Sequence, residues 1–232
     1  MVEKTFITEQ SFEIRHDASG TFIDVKGGVA DFIKNKHLFP HWRIQENLVG
    51  FFDTGNGVSK EKSAVIAYNK VAFSIYNSPT ANYFQEQSLH FWKIFYNNKL
   101  YSLPAITRFG VRTKCYLPSK LSFEEIYNRI SKFFLNQDAI KGLGGRQKDL
   151  QITLDLEEKS YQVKIGFGPL KKDEARRHFS FFVEEFKQTG LYIDVDCFQS
   201  KELSADKVSS LFKNALEIIS NKIDNIAAAI DI

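Results

Sequence analysis

The stretch at residues 106–117, ITRFGVRTKCYL, decides the fold because apolar and polar side chains alternate along it. The apolar positions are Phe109, Val111, Cys115 and Leu117. The polar and basic positions are Arg108, Arg112, Lys114 and Tyr116. A period of two predicts a strand with one buried face and one polar face. Pro118 ends the strand, since proline has no N–H to donate to a sheet.

The residues that follow extend this strand into a β-α-β4-α pattern. Ser122 and Glu125 form a capping box that predicts a helix to about residue 136. Glycine and charged residues predict loops at 138–149 and 168–178. Hairpins are predicted at 150–167 and 179–198, and apolar residues at helical spacing predict a long helix over 204–230.

The residues that precede the strand show a similar order less clearly. Strands are predicted at 11–15, 21–25 and 43–52, a short helix at 29–38, a hairpin at 64–76 and a helix at 82–98. The chain therefore reads as two repeats, 1–104 and 105–232, in one structural unit. We predict an α+β protein in which both repeats share one curved antiparallel sheet with helices on one face. This topology resembles a tandem TATA-binding-protein-like fold.

A family resemblance rests on the segment Thr107-Arg108-Phe109-Gly110-Val111-Arg112, together with an Ile-Asp-Val-Asp strand at 193–196 and the long C-terminal helix. These features resemble a sporadically distributed family of uncharacterised bacterial proteins with a mid-chain Thr-Arg-x-Gly-x-Arg strand. The family usually continues with an aromatic residue and Asn, where this chain has Thr113 and Lys114. The resemblance implies a bacterial accessory protein, and patchy inheritance suggests a mobile-element or antiviral defence context.

The polar face of the mid-chain strand is the main candidate site. It carries three cations, and the strand near the C-terminal helix offers two carboxylates and aromatic side chains on the same side. The predicted ligand- or partner-binding residues are Arg108, Arg112, Lys114, Tyr116, Tyr192, Asp194 and Asp196, with Phe198 as a further exposed aromatic. Three readings remain open here: an internal salt-bridge network, a phosphate or nucleic-acid surface, and a partner-protein surface.

Basic residues in the two predicted loops make nucleic-acid binding the alternative function. The possible contacts are Lys141, Arg146, Lys171, Lys172, Arg176 and Arg177. Acidic neighbours reduce the net charge of both loops, so solubilising loops are the favoured explanation.

The composition of the chain limits the kind of core, the kinds of site and the class of function that we expect. The chain has 232 residues, a net charge of +3 and 22 phenylalanines, which predicts a Phe-rich core. We expect two buried reduced thiols, at Cys115 and Cys197, and no metal site or cofactor. The absence of a signal-like or membrane-spanning apolar run predicts a cytoplasmic protein. We expect a non-enzymatic binding or sensing component with a protein partner, and the apolar end of the last helix would allow a homodimer.

Overall fold

A nine-stranded antiparallel sheet organises the chain among the residues that the structure describes. The computed structural model describes residues 6–55, 59–80, 82–145, 147–180, 186 and 188–232. The strands are β1 (Ile7–His16), β2 (His41–Ile44), β3 (Leu48–Phe52), β4 (Lys62–Ala67), β5 (Lys70–Tyr76), β6 (Ile106–Pro118), β7 (Ile152–Glu158), β8 (Tyr161–Leu170) and β9 (Gly190–Gln199). Their order across the sheet is β2-β3-β4-β5-β1-β6-β9-β8-β7.

Six helices accompany the sheet in this part of the chain. They are α1 (Gly20–Lys34), α2 (Tyr83–Tyr96), α3 (Phe123–Phe134), α4 (Gln137–Leu143), α5 (Lys172–His178) and α6 (Val208–Ala229), the last preceded by a 3-10 turn at Ala205–Lys207. Buried residues of α1, α2, α3 and α6 share one cluster with one face of the sheet. The predicted α+β class with one antiparallel sheet is confirmed.

Local signals explain the best-predicted elements. Ser122 and Glu125 form the expected capping box: the Glu125 amide donates to the Ser122 hydroxyl at 3.2 Å, and the Ser122 amide donates to the Glu125 carboxylate at 2.7 Å. In α6, apolar residues recur at helical spacing and pack onto β6 and β9.

Phenylalanine rings fill the core between the sheet and the helices, as the composition predicts. Phe212 of α6 lies 5.7 Å from Phe12, 6.4 Å from Phe109 and 5.3 Å from Phe84, measured between ring centroids. One ring of the last helix therefore joins both central strands to α2. Cys115 and Cys197 are free, buried thiols, as expected.

The first half corrects two predictions. Residues 21–25, predicted as a strand, belong to α1, because Phe22, Val29, Ala30 and Ile33 form a buried stripe at helical spacing. The predicted strand at 43–52 is a hairpin, β2 and β3, in which the Gln45 amide donates to the Leu48 carbonyl at 2.9 Å. Tertiary packing in α1 thus overrides a local β-like pattern.

The second half corrects the two predicted loops. Residues 137–143 form α4, which Asn136 caps by accepting from the amides of Asp138 and Ala139. The predicted loop at 168–178 is the end of β8 followed by α5, whose acidic first turn and basic last turn complement the helix dipole. The strand predicted at the start of the 179–198 hairpin falls mostly outside the described residues.

Helix α5 departs from the predicted one-sided helical layer, because it does not join the main core. Ala175 of α5 and the following Phe179 and Phe186 cluster with Tyr116 and Tyr192, which lie on the opposite face of the sheet. The second face is therefore covered at one end. The internal repeat itself stays a prediction, although the order of strands sets β1 and β6, the first strand of each proposed repeat, side by side at the centre.

Gly168 in β8 gives a direct test of how closely the chain packs at this sheet edge. A Cβ at Gly168 would lie 2.4 Å from the Leu150 carbonyl oxygen, which is backbone and cannot swing away. We expect Gly168→Ala to lower the free energy of unfolding by about 1–3 kcal/mol, measured by urea denaturation.

Gly166→Ala is the matched control, two residues away on the same strand. Its Cβ would meet nothing closer than the Gln151 side chain at 3.6 Å, an ordinary contact. Equal losses in both variants would contradict this account of the packing.

Candidate functional site

The pairing of β1, β6 and β9 builds the candidate surface on the face away from the main core. Opposite positions in β1 and β6 include Glu9 with Lys114 and Ser11 with Arg112. In β6 and β9, Arg112 lies opposite Asp196 and Lys114 opposite Asp194. Acidic residues therefore flank the predicted basic residues on both sides, so that the polar face carries both signs of charge.

Arg112 binds Asp194 through two hydrogen bonds. Its Nε lies 2.8 Å from Oδ1 and its Nη2 lies 2.5 Å from Oδ2 of the carboxylate. Hydrogen bonding to Asp194 raises the pKa of Arg112, with burial opposing it, so the guanidinium stays charged. The Tyr192 hydroxyl also donates to Asp194, at 3.3 Å. The Arg112 side chain remains 47% exposed, which makes it the most accessible of the three predicted cations.

Arg108 bridges two carboxylates and stacks on an aromatic ring. Its guanidinium lies 3.0 Å from Asp196 and 3.5 Å from Glu13, and its central carbon is 4.3 Å from the centroid of the Phe198 ring. Burial raises the pKa of Asp196 above its ordinary value, although the charge of Arg108 opposes this. Arg108 is thus held flat along the surface by charge and stacking together.

Gly110 makes room for that position of Arg108. A Cβ at Gly110 would lie 3.1 Å from Nη1 of Arg108 and 3.3 Å from Cβ of Phe198. This close approach explains why glycine lies between the two arginines of the Thr-Arg-x-Gly-x-Arg segment.

Lys114 forms the least exposed ion pair of the surface. Its Nζ lies 2.8 Å from Glu9, and the two side chains are only 15% and 12% exposed. Glu9 also accepts from the amide and the hydroxyl of Ser180, at 2.6 and 3.1 Å. Because the carboxylate holds both β6 and the segment after α5, it fixes the covered end of the face.

We call these charged side chains the ion-paired face: Glu9, Glu13, Arg15, Lys70, Arg108, Arg112, Lys114, Asp194 and Asp196. Within the described residues, its ion pairs join five basic side chains to four acidic ones. The salt-bridge network left open by the sequence is therefore present. A hollow of about 200 Å³ lies in this face over Gly110, bounded by Ser11, Glu13, Arg108, Arg112 and Asp196.

Tyr116 and Tyr192 correct the prediction of exposed aromatic contacts. Tyr116 is 0% exposed and Tyr192 is 6% exposed. The segment after β8 covers both rings: Phe186 lies 5.1 Å from Tyr116 and Phe179 lies 5.9 Å from Tyr192, between centroids. The Tyr116 hydroxyl donates to the Gln188 carbonyl. These tyrosines fix the covered end of the face and are not accessible to a partner.

The basic residues proposed for nucleic acid lie on separate elements. Lys141 is in α4, Lys171 caps α5 with its ammonium 4.8 Å from the Phe123 ring centroid, and Arg146 lies outside the described residues. Lys172, Arg176 and Arg177 are in α5, which also carries Asp173 and Glu174. None of these described residues takes part in the ion pairs of the ion-paired face.

Glu9 and Glu13 are site residues that sequence reasoning missed. Both belong to β1, which begins at Ile7, earlier than the predicted strand. Outward residues Glu9, Ser11 and Glu13 alternate with inward Phe12 and Ile14, and that period of two was the available signal. The local sequence does not indicate which strand Glu9 and Glu13 face, because β1 and β6 are about a hundred residues apart in sequence.

Comparison with known proteins adds no family to these observations. No protein-family profile and no curated protein sequence matches the chain. The resemblance to the bacterial family and to the TATA-binding-protein-like fold therefore stays a prediction. Among the described residues, no group of three or more His, Cys, Asp or Glu side chains is placed to hold a metal ion. Likewise, no described helix has the length and apolar character needed to cross a membrane.

Glu13 gives the ion-paired face a dependence on pH. Burial raises the pKa of Glu13, but hydrogen bonds and charges from Arg15 and Lys70 outweigh it and lower the pKa overall. Glu13 therefore stabilises the fold above its unfolded-state pKa of about 4.3, and the contribution is lost as pH falls through the lower folded-state pKa. We expect Glu13→Gln to lower the urea midpoint at pH about 7, and the difference from wild type to narrow below pH about 4.

Glu157→Gln is the control for this measurement, because Glu157 is an exposed residue of β7 with no ion pair among the described residues. A Glu13→Gln deficit of the same size at both pH values would contradict the assigned role of the charge.

Proposed function

We propose that the protein is a non-enzymatic binding component that acts with a partner protein, and that the ion-paired face is its recognition surface. The hollow over Gly110 carries this proposal. It is an open, charged depression at the centre of the sheet, where Arg108 and Asp196 form one wall and Ser11 and Glu13 another.

The donors around the hollow suit an acidic side chain from the partner. Nε and Nη2 of Arg112 bind Asp194, and Nη1 has no partner among the described residues. An acidic group entering over Gly110 would meet the Arg112 side chain, which bounds the hollow, and the carboxylates around it would select against a second negative charge close by. A partner with both signs of charge fits this pattern.

The balance of charge on the ion-paired face favours a protein over a nucleic acid as its partner. A phosphate backbone requires a continuous excess of positive charge, whereas here each cation of the ion-paired face lies within 4.0 Å of a carboxylate. Binding DNA or RNA would require breaking several of these pairs. Nucleic-acid binding through this face and the basic helices remains the alternative function.

The ion pairing of the carboxylates in the hollow supports a non-enzymatic role. Glu13 and Asp196 are both held by Arg108, and Glu13 also by Arg15 and Lys70. Arg15 and Lys70 lower the pKa of Glu13, which makes that carboxylate a poor general base. Burial raises the pKa of Asp196, but Arg108 occupies one of its oxygens at 3.0 Å. The geometry thus suits recognition better than proton transfer.

Gly110→Ala tests the proposal with minimal damage to the fold. The added methyl group would displace the end of the Arg108 side chain and narrow the hollow, while burying no new polar group. Candidate partners are the proteins encoded beside this one, purified and tested by surface plasmon resonance. We expect a partner bound by wild type to bind Gly110→Ala at least about tenfold more weakly, with a stability change within about 1 kcal/mol.

The control is again Gly166→Ala, which changes an uncrowded position of β8 opposite Asp194. A partner that binds wild type, Gly110→Ala and Gly166→Ala equally would place the interface elsewhere and contradict the proposal.

The alternative function has its own measurement. We expect labelled single- and double-stranded DNA and RNA to show no retention at moderate salt, because the cations of the face are already paired. Binding that weakens steeply with salt and is lost when Arg108→Ala and Arg112→Ala are combined would replace the partner-protein proposal with the nucleic-acid one.

A further inference from the structure

A second cavity lies on the opposite side of the sheet, independent of the ion-paired face. It has a volume of about 390 Å³ and lies between the central strands β1 and β6, helix α6 and the start of α2. This size is within the range of natural small-molecule sites. Helices cover the rest of this sheet face, whereas the described elements leave the cavity open.

The floor of the cavity consists of two neighbouring cross-strand pairs. Gln10 of β1 lies opposite Thr113 of β6, and Thr8 lies opposite Cys115. Their neighbours along the same face are apolar, with Phe12 and Ile14 on β1 and Val111 on β6 buried in the core. Three polar side chains therefore interrupt an otherwise apolar face at one place.

Thr113 places a buried hydroxyl without a hydrogen-bond partner at this polar position. The residue is 3% exposed, and its hydroxyl has no hydrogen-bond partner. A buried hydroxyl without a partner costs free energy, and such groups are rare in folded proteins. Since Thr113 lines the cavity, a molecule bound there would supply the missing partner.

The side-chain amide of Gln10 is also held in one orientation by a hydrogen bond. Its carbonyl oxygen accepts from the Ser78 hydroxyl at 2.9 Å, which orients the amide. The amide nitrogen has no partner among the described residues. Ser78 and Gln10 both line the cavity, so an oriented donor lies next to the unpartnered Thr113 hydroxyl.

The lining indicates the chemistry of the ligand. Five hydroxyl and three amide side chains line the cavity: Thr8, Ser78, Thr80, Thr113, Ser220, Gln10, Asn82 and Gln85. Hydroxyl and amide groups both donate and accept, so they match ligand groups that also do both. Ile219 and Ile223 supply an apolar wall.

Charges at the cavity disfavour an anionic ligand. Among the described residues that line it, Lys213 is the one basic side chain and no arginine is present. Glu217 and Asp224 are exposed carboxylates on the same side of α6 and have no ion pair among the described residues. A phosphate group would meet two carboxylates and a single ammonium, whereas a neutral polyol would meet donors and acceptors.

We propose that this cavity binds a small, uncharged, polyhydroxylated molecule with one apolar face, of the size of a sugar or a nucleoside. Thr113 and Gln10 bind its hydroxyl groups at the floor, and the isoleucines of α6 contact its apolar face. The site is separate from the proposed partner surface, and the two lie on opposite faces of the same strands. In β1, Gln10 lies between Glu9 and Ser11, and in β6, Thr113 lies between Arg112 and Lys114.

The test is a thermal-denaturation screen of the wild-type protein with two sets of probes, one of mono- and disaccharides and one of nucleosides. The matching nucleotides are included as charged comparison compounds. We expect at least one probe to raise the melting temperature by about 5–10 °C at about 100 times its Kd, measured by calorimetry. A response confined to one set identifies the source of the ligand.

Variants locate the site. Ser220→Phe places a ring at the mouth and is expected to abolish the response, whereas Asn225→Phe, an exposed position of α6 outside the cavity, is expected to retain it. Thr113→Val removes the unpartnered hydroxyl; we expect a melting temperature no lower than wild type and ligand binding about threefold to tenfold weaker. Gly110→Ala, on the other face, is expected to leave ligand binding unchanged.

Three results would overturn the proposal. The first is no response of wild type to either set of probes, in which case Thr113 is only an unsatisfied hydroxyl. The second is a response to nucleotides without one to nucleosides, which would show that phosphate is the recognised group. The third is an equal response in wild type and Ser220→Phe, which would place the binding site elsewhere.

Discussion

The antiparallel pairing of β1 with β6 is the interaction on which the rest of the structure depends. It runs from Ile7 opposite Tyr116 to Arg15 opposite Arg108 and joins the two halves of the sheet. Because side chains alternate along both strands, this one register sets both faces at once. On one side it brings Glu9 to Lys114 and Glu13 beside Arg108, and on the other it sets Gln10 opposite Thr113. A slip of one residue would exchange these sets and bury the charges.

The ion-paired face shows how a strand rich in cations is made compatible with a sheet. Arg108, Arg112 and Lys114 would repel one another on an isolated strand, but β1 supplies carboxylates on one side and β9 on the other. The Lys114–Glu9 pair, whose side chains are 15% and 12% exposed, is the costliest to break, since the remaining partner would be left buried without compensation. The result is a surface whose charged side chains are already positioned, which would lower the entropic cost of binding the partner that we propose.

The elements predicted correctly are those whose signals are local. The alternation in β6, the capping box at Ser122 and the apolar spacing in α6 each lie within one element, so the sequence alone identifies them. The start of α1 was missed because Gly27 and Gly28 interrupt a helix that is stabilised by packing, and Gly28 closely approaches Leu100. The partners of the site were missed for a related reason. The carboxylates of β1 and the residues that cover Tyr116 are distant in sequence, and no local pattern indicates what lies opposite a strand.

The central position of β1 in the sheet also affects how the chain folds during its synthesis. When synthesis has passed the first half, β1 can pair with β5 on one side, but its other edge has no partner until β6 has been synthesised. An unpaired strand edge beside an apolar face is a site of aggregation. Once β6 has been made, its own outer edge lacks a partner until β9 at Gly190–Gln199 has been synthesised. The nascent protein therefore carries an unpaired edge at the centre of its sheet, first on β1 and then on β6, until the last of the described strands is complete.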